Sequence, residues 1–251
     1  MSKSKVLVIS ELYYPHGGGA EYATHLILKQ LQKTQKTTQQ KTKFVEKLVK
    51  IGLIEEAMQM AKTIESNYYK TLALLNIAQT ITKRDPQKAI ELLEEAIQAT
   101  EKIILPYPKA EALTKIATVM MKKHSQKATE LLEEAIQIAK TMLPSEDRAR
   151  VLADIAQVIM DENPQKAAEL IEESIQTTKT TIILSYNGVK VLIGIVKAIT
   201  KLAKRDPQKA TELLEEAIQI AKTMVLSEDR ARVLADIAQV IMDENPQKAA
   251  E

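Results

Sequence analysis

Asp85-Pro86-Gln87-Lys88-Ala89-Ile90-Glu91-Leu92-Leu93-Glu94-Glu95-Ala96-Ile97-Gln98 is the stretch on which the fold turns. Its second half recurs from Leu131, Leu170 and Leu213, at steps of 39, 39 and 43 residues. Pro86, Pro164, Pro207 and Pro246 mark the same point, and Ser125 stands there once. Residues 126–169 and 208–251 match at 42 of 44 positions, differing only at Leu143/Val225 and Pro144/Leu226. A period of this size belongs to stacked supersecondary units, each burying its apolar face against its neighbours. A site inside the doubled block is expected twice.

Each period reads as two helices. In the third, Leu152, Ile155, Ala156 and Ile159 fall on one helical face. Ser145 is the expected N-cap, with Glu146 and Asp147 in the first turn, where the helix dipole favours acid. The helix is expected to stop near Glu162. Asn163 then caps a second helix, with Pro164 at its first position, where a missing N–H costs nothing. Ala167, Leu170, Ile171, Ser174 and Ile175 form that helix's buried stripe. Two such stripes make a helical hairpin, so the expected fold is an all-α solenoid of antiparallel hairpins. Leu202-Ala203-Lys204 is an insertion in the fourth period, close to one helical turn, and predicts a local irregularity without a break. Residues 40–66 read as a degenerate first hairpin. Phe44, Leu48 and Ile51 line one helix, Gly52 follows as its C′ residue, and Ile54, Ala57, Met58 and Ala61 line the partner. Glu251 corresponds to Glu169, which leaves Leu234, Ile237, Ala238 and Ile241 without a full hairpin partner. The expectation is either a homo-oligomer through that helix or a truncated product.

The pattern resembles the tetratricopeptide repeat. Pro86, Ala89, Leu93, Ala96 and Ile97 fit that family's second helix, as do Pro207, Ala210, Leu214, Ala217 and Ile218. Ala78, Ala117, Ala156 and Ala238 stand where the family places a small packing residue in its first helix. The match covers roughly residues 40–251. It departs in period, 39 residues against about 34 for the family, and in lacking the family's first-helix aromatics. The resemblance implies a right-handed superhelix whose groove holds peptides or partner helices.

Composition agrees with close-packed helices. Among the 251 residues, 45% are hydrophobic but only 3% aromatic, with no Trp and one Phe, so Ala, Leu and Ile must fill the core. Net charge is +2, from 35 basic and 33 acidic side chains, which offers no electrostatic reason for nucleic acid or an anionic membrane as partner. Cysteine is absent, which excludes disulfides and thiolate metal sites. The apolar run Val6–Ile9 is too short for a signal peptide, and no stretch approaches the ~20 apolar residues of a membrane span. A cytoplasmic protein is expected.

Residues 1–36 differ from the array assigned to 37–251. Lys5-Val6-Leu7-Val8-Ile9-Ser10 reads as a buried strand, followed by Pro15-His16-Gly17-Gly18-Gly19-Ala20-Glu21 and a helical stretch to about Gln32. Glycines at such a turn let backbone N–H groups approach a phosphate, which makes Gly17, Gly18 and Gly19 candidate phosphate-loop residues. The stretch resembles the start of family 4 glycosyltransferases of the GT-B fold, and the resemblance places Gly17 and Gly18 near acceptor and sugar nucleotide. No second strand–helix unit follows. That family's glutamate pair has no counterpart, since no two of the 25 glutamates lie eight positions apart. The segment is expected to be a fragment fused upstream of the array.

The chemistry-bearing residues are few. His16, His25 and His124 do not share metal-ligand spacing, so no metal or cofactor is expected. The Glu-Glu pairs at 94–95, 133–134, 172–173 and 215–216 would line up as acidic ridges. These suit either a groove for basic peptides or cations, or a solvated face. Lys88, Lys127, Lys166 and Lys209 stand three residues before Glu91, Glu130, Glu169 and Glu212, the spacing of ordinary helical ion pairs. Arg148 and Arg150, echoed by Arg230 and Arg232, together with Tyr68 and Tyr69, are the candidate partner-binding residues. Local ion pairing and packing are their other possible uses. The expected function is a non-catalytic scaffold for a protein or peptide partner. The alternatives are a glycosyltransferase remnant and a purely self-assembling array.

Overall fold

A computed structural model describes residues 38–121, 124–181 and 186–223, with isolated positions at 231, 234–235 and 238–239. The strand–glycine-turn–helix reading, with Gly17, Gly18 and Gly19, lies outside the described residues. So do Arg230, Arg232 and most of the last repeat.

The described residues form helices joined by short turns, with no strand among them. In order they are α1 (Thr38–Lys50), α2 (Ile54–Lys62), α3 (Asn67–Ile81), α4 (Pro86–Glu101), α5 (Pro106–Met120), α6 (Ser125–Thr141), α7 (Glu146–Ile159), α8 (Pro164–Thr181), α9 (Tyr186–Ala203) and α10 (Pro207–Thr223). The chain divides into two compact units, one ending at Ala99 and the other beginning at Thr100.

In the first unit α1, α2 and α3 pack on one another. Gly52 ends α1 with φ +83°, and Leu53 N–H reaches Leu48 O at 2.9 Å while Gly52 N–H reaches Val49 O at 3.0 Å, so the expected C′ glycine is in place. The stripe of α1 is Thr42, Val45, Leu48 and Val49. Phe44 is only half-buried and Ile51 is exposed, a correction to the expected stripe: Ile51 follows the last helical residue, so the 3.6-residue period no longer aims it inward.

In the second unit the helices pair as α5 with α6, α7 with α8 and α9 with α10, and α7 also lies against α5 and α9. The local signals decide the boundaries. Ser145 Oγ accepts from Arg148 N–H at 3.2 Å at the start of α7. Asn163 Oδ1 accepts from Lys166 N–H at 3.0 Å at the start of α8. Asp85 and Asp206 do the same for Lys88 and Lys209, at 2.9 and 3.0 Å. His124 takes that place before α6 and makes no side-chain cap bond. Leu152, Ile155, Ala156 and Ile159 of α7, and Ala167, Leu170, Ile171, Ser174 and Ile175 of α8, are all buried as expected. The insertion lengthens α9 to 18 residues against 14 in α7, and its Leu202 is buried, so the extra turn continues the helix.

A brace invisible to local periodicity ties three of the hairpins. Lys70 meets Glu95 at 2.9 Å, Lys109 meets Glu134 at 2.9 Å, and Arg148 meets Glu173. In each case a cation near the start of a first helix reaches a carboxylate just past the middle of the second, 25 residues on, as antiparallel packing requires. In the fourth hairpin Gly188 occupies the cation's register, and Glu216 is taken instead by Lys179 of α8 at 2.6 Å. A buried hydrogen bond sits beside the brace in two hairpins, with donor and acceptor exchanged. Thr71 Oγ1 donates to Ala96 O at 3.4 Å, whereas Ser174 Oγ donates to Ala149 O at 2.6 Å.

Candidate partner-binding face

The first helices of the second unit, α5, α7 and α9, lie side by side. Their inward positions are filled mainly by Ala, Leu, Ile and Val, with Thr114 and Met120 on α5, which leaves each a narrow outward stripe at three- to four-residue spacing. On α5 the stripe carries Tyr107, Glu111 and Lys115. On α7 it carries Asp147, Arg150 and Asp154, and Asp161 follows in the turn just beyond the helix.

These side chains interlock. Arg150 Cζ sits 4.8 Å from the centre of the Tyr107 ring, a cation–π contact between neighbouring first helices. The same guanidinium donates to Asp147 Oδ1 at 2.6 Å. Lys115 Nζ donates to Glu111 Oε1 at 2.7 Å. Burial pushes the Tyr107 phenol well up, and the Glu111 carboxylate adds to the shift. Burial also raises the Asp154 carboxyl above its ordinary 3.8, with Glu111 adding to it while Arg150 and Lys115 oppose. Toward α9, Gln157 Nε2 donates to Gly194 O at 3.3 Å, Lys201 Nζ donates to Gln157 O at 3.2 Å, and Arg205 binds Asp161 at 2.9 Å. That last bond holds the Asp161 carboxyl below its ordinary value.

The arginines singled out in the sequence part company. Arg148 turns into its own hairpin, donating to Met142 O at 3.0 Å and bracing Glu173. Arg150, two residues on, faces outward. In the first unit Tyr68 and Tyr69 are half-buried, their rings edge to face at 5.3 Å and 71°. Tyr107 escaped the sequence reading, although it stands 39 residues after Tyr68 and so occupies the same register.

The expected acidic ridges are not continuous ridges, because Glu95, Glu134 and Glu173 are each neutralised by the hairpin brace and Glu172 by Lys209 at 3.3 Å. The i,i+3 lysine pairs do form, at 2.8, 3.2, 3.4 and 3.6 Å. Among the described residues no group of three His, Asp or Glu could hold a metal ion, and no helix is long and apolar enough to cross a membrane.

No protein-family model matches the sequence, and no curated protein is significantly similar to it. Solved structures do match in fold. Ton1535 from Thermococcus onnurineus NA1 aligns over 84% of this chain and 62% of its own, with 24% identity and a TM-score of 0.58. This chain therefore spans under two thirds of that protein's length. BtubC (BKLC) from P. vanneervenii aligns over 86% of this chain and 85% of its own, with 18% identity and a TM-score of 0.50. At these identities the likeness is one of fold.

Proposed function

We propose that the chain is a tetratricopeptide-like scaffold without catalytic activity, binding a peptide or helix of a protein partner across its first helices. The observation that carries this reading is the outward stripe of α5 and α7. There a tyrosine, a guanidinium and several carboxylates stand half-exposed on rigid helices, with Arg150 stacked on Tyr107 across the helix boundary. Aromatic and arginine side chains of this kind dominate binding energy at protein interfaces. Rigid packing beneath them lowers the ordering cost of association. Brace, cap and i,i+3 partners engage charged groups elsewhere in the hairpins.

A photo-cross-linking amino acid placed at position 111 tests it. Incubated with extract, that variant is expected to form discrete protein adducts, whereas the same group at Glu133 on the exposed face of α6 is not. Adducts from position 133 alone, or sugar-nucleotide turnover by the purified chain, would overturn the reading.

A further inference from the structure

The 32 residues from Ser174 to Arg205 contain six Lys or Arg and no Asp or Glu, in a chain whose net charge is only +2. The rest of the chain is thus net acidic, and the basic charge gathers at α9. Lys190, Lys197 and Lys201 project from α9 within an arc of about 60°, with Gly194 in the same arc. All three lysines are exposed. Lys204 continues the line just beyond the helix end.

Gly194 stands where Asp154, Lys115 and Asn76 stand in the earlier first helices. This register follows from the buried Leu192, Ile195, Val196 and Ile199, each 40 residues after Leu152, Ile155, Ala156 and Ile159. The position is therefore an outward one, and the small packing residues lie elsewhere, at Ala78, Ala117 and Ala156. A Cβ added at Gly194 would meet nothing within 4 Å, so no internal contact demands glycine there. Glycine in a helix interior weakens the helix relative to alanine. What it supplies in exchange is a notch in the side-chain layer where another backbone can approach.

We propose that the face of α9 formed by Lys190, Gly194, Lys197 and Lys201 binds an acidic peptide segment, whose backbone crosses at Gly194 while its carboxylates meet the flanking ammonium groups. This deepens the scaffold reading and rests on it. Charge complementarity selects the occupant. The exposed ammonium groups of Lys190, Lys197 and Lys201, the last also donating to Gln157 O at 3.2 Å, favour carboxylates, and nucleic acid is kept as an outcome of the test.

The test is fluorescence anisotropy on the full chain at about 0.15 M salt, with a labelled glutamate-rich peptide, a lysine-rich peptide, a neutral peptide and oligothymidylate as probes. The glutamate-rich peptide is expected to bind. Lys197→Glu and Gly194→Leu are each expected to weaken it about tenfold. Gly194→Ala should weaken it while raising Tm by about 2–4 °C, which separates lost binding from lost folding. Glutamate-peptide binding unchanged by Lys197→Glu and Gly194→Leu would overturn the inference. So would binding of the lysine-rich or neutral peptide in place of the acidic one, and either result leaves the scaffold reading standing. Oligothymidylate binding that Lys197→Glu abolishes would reassign the face to nucleic acid. Failure of all three peptides to bind would overturn the inference, while cross-linking from position 111 decides the scaffold reading separately.

Discussion

At the scale of the residue, burial turns ordinary side chains into adjustable ones. Asp154 lies half-buried beside Glu111, and burial raises its carboxyl above 3.8. The folded state therefore holds that proton more tightly than the unfolded chain does. Its contribution to stability is complete only well below the ordinary 3.8 and is lost as the pH rises through the folded value. Asp154→Asn is expected to raise Tm at pH 7 and to leave it nearly unchanged at about pH 2, where both states are protonated, as calorimetry at the two pH values would reveal. Gly52 poses the opposite case. Its surroundings are open, but its φ of +83° is costly for any residue with a Cβ. Gly52→Ala should destabilise the first unit by roughly 1–2 kcal/mol, measured by urea unfolding. Gly52 was legible from its place after the α1 pattern. Asp154 was not, because its environment is made by α5, a neighbour 39 residues away in register and silent in local sequence.

At the scale of the element, caps and braces decide how each helix starts and how each hairpin closes. Asn163 Oδ1 is the cap of α8, and Asn163→Ala is expected to cost about 1 kcal/mol. Hydrogen exchange would register the loss as faster exchange in the first turn of α8. Ser174→Ala removes the buried bond to Ala149 O and should cost about 0.5–1.5 kcal/mol. That carbonyl lies inside α7, where the helix supplies a second donor, so the acceptor is not orphaned. Equilibrium unfolding of the two variants and their double mutant would show near-additivity if cap and clasp act separately. The caps were readable because they obey short-range rules: a side-chain oxygen three residues before the N–H it accepts from. The braces were not. A lysine at position 109 and a glutamate at 134 become neighbours only once the hairpin folds back, and the same Glu-Glu pairs looked like a free acidic ridge until it did.

At the scale of the whole molecule, each unit buries its own core of small aliphatic side chains, and in the second unit α7 sits at the centre, touching α5, α6, α8 and α9. Leu152→Ala on α7 should cost about 2–5 kcal/mol through lost transfer energy and the cavity left behind. Hydrogen exchange should then show reduced protection in α7 and in the helices packed against it. The sequence by itself determined that the described chain is helical, where most helices begin, the buried stripes of α7 and α8 and that a two-helix unit recurs, because those properties follow from periods of 3.6 and 39 residues along one chain. Only the tertiary structure decided which charges are used up inside the hairpins, that Tyr107 meets Arg150, and that Gly194 opens onto space. Each of those depends on distances between segments 25 to 44 residues apart, and no pattern within a single helix encodes them.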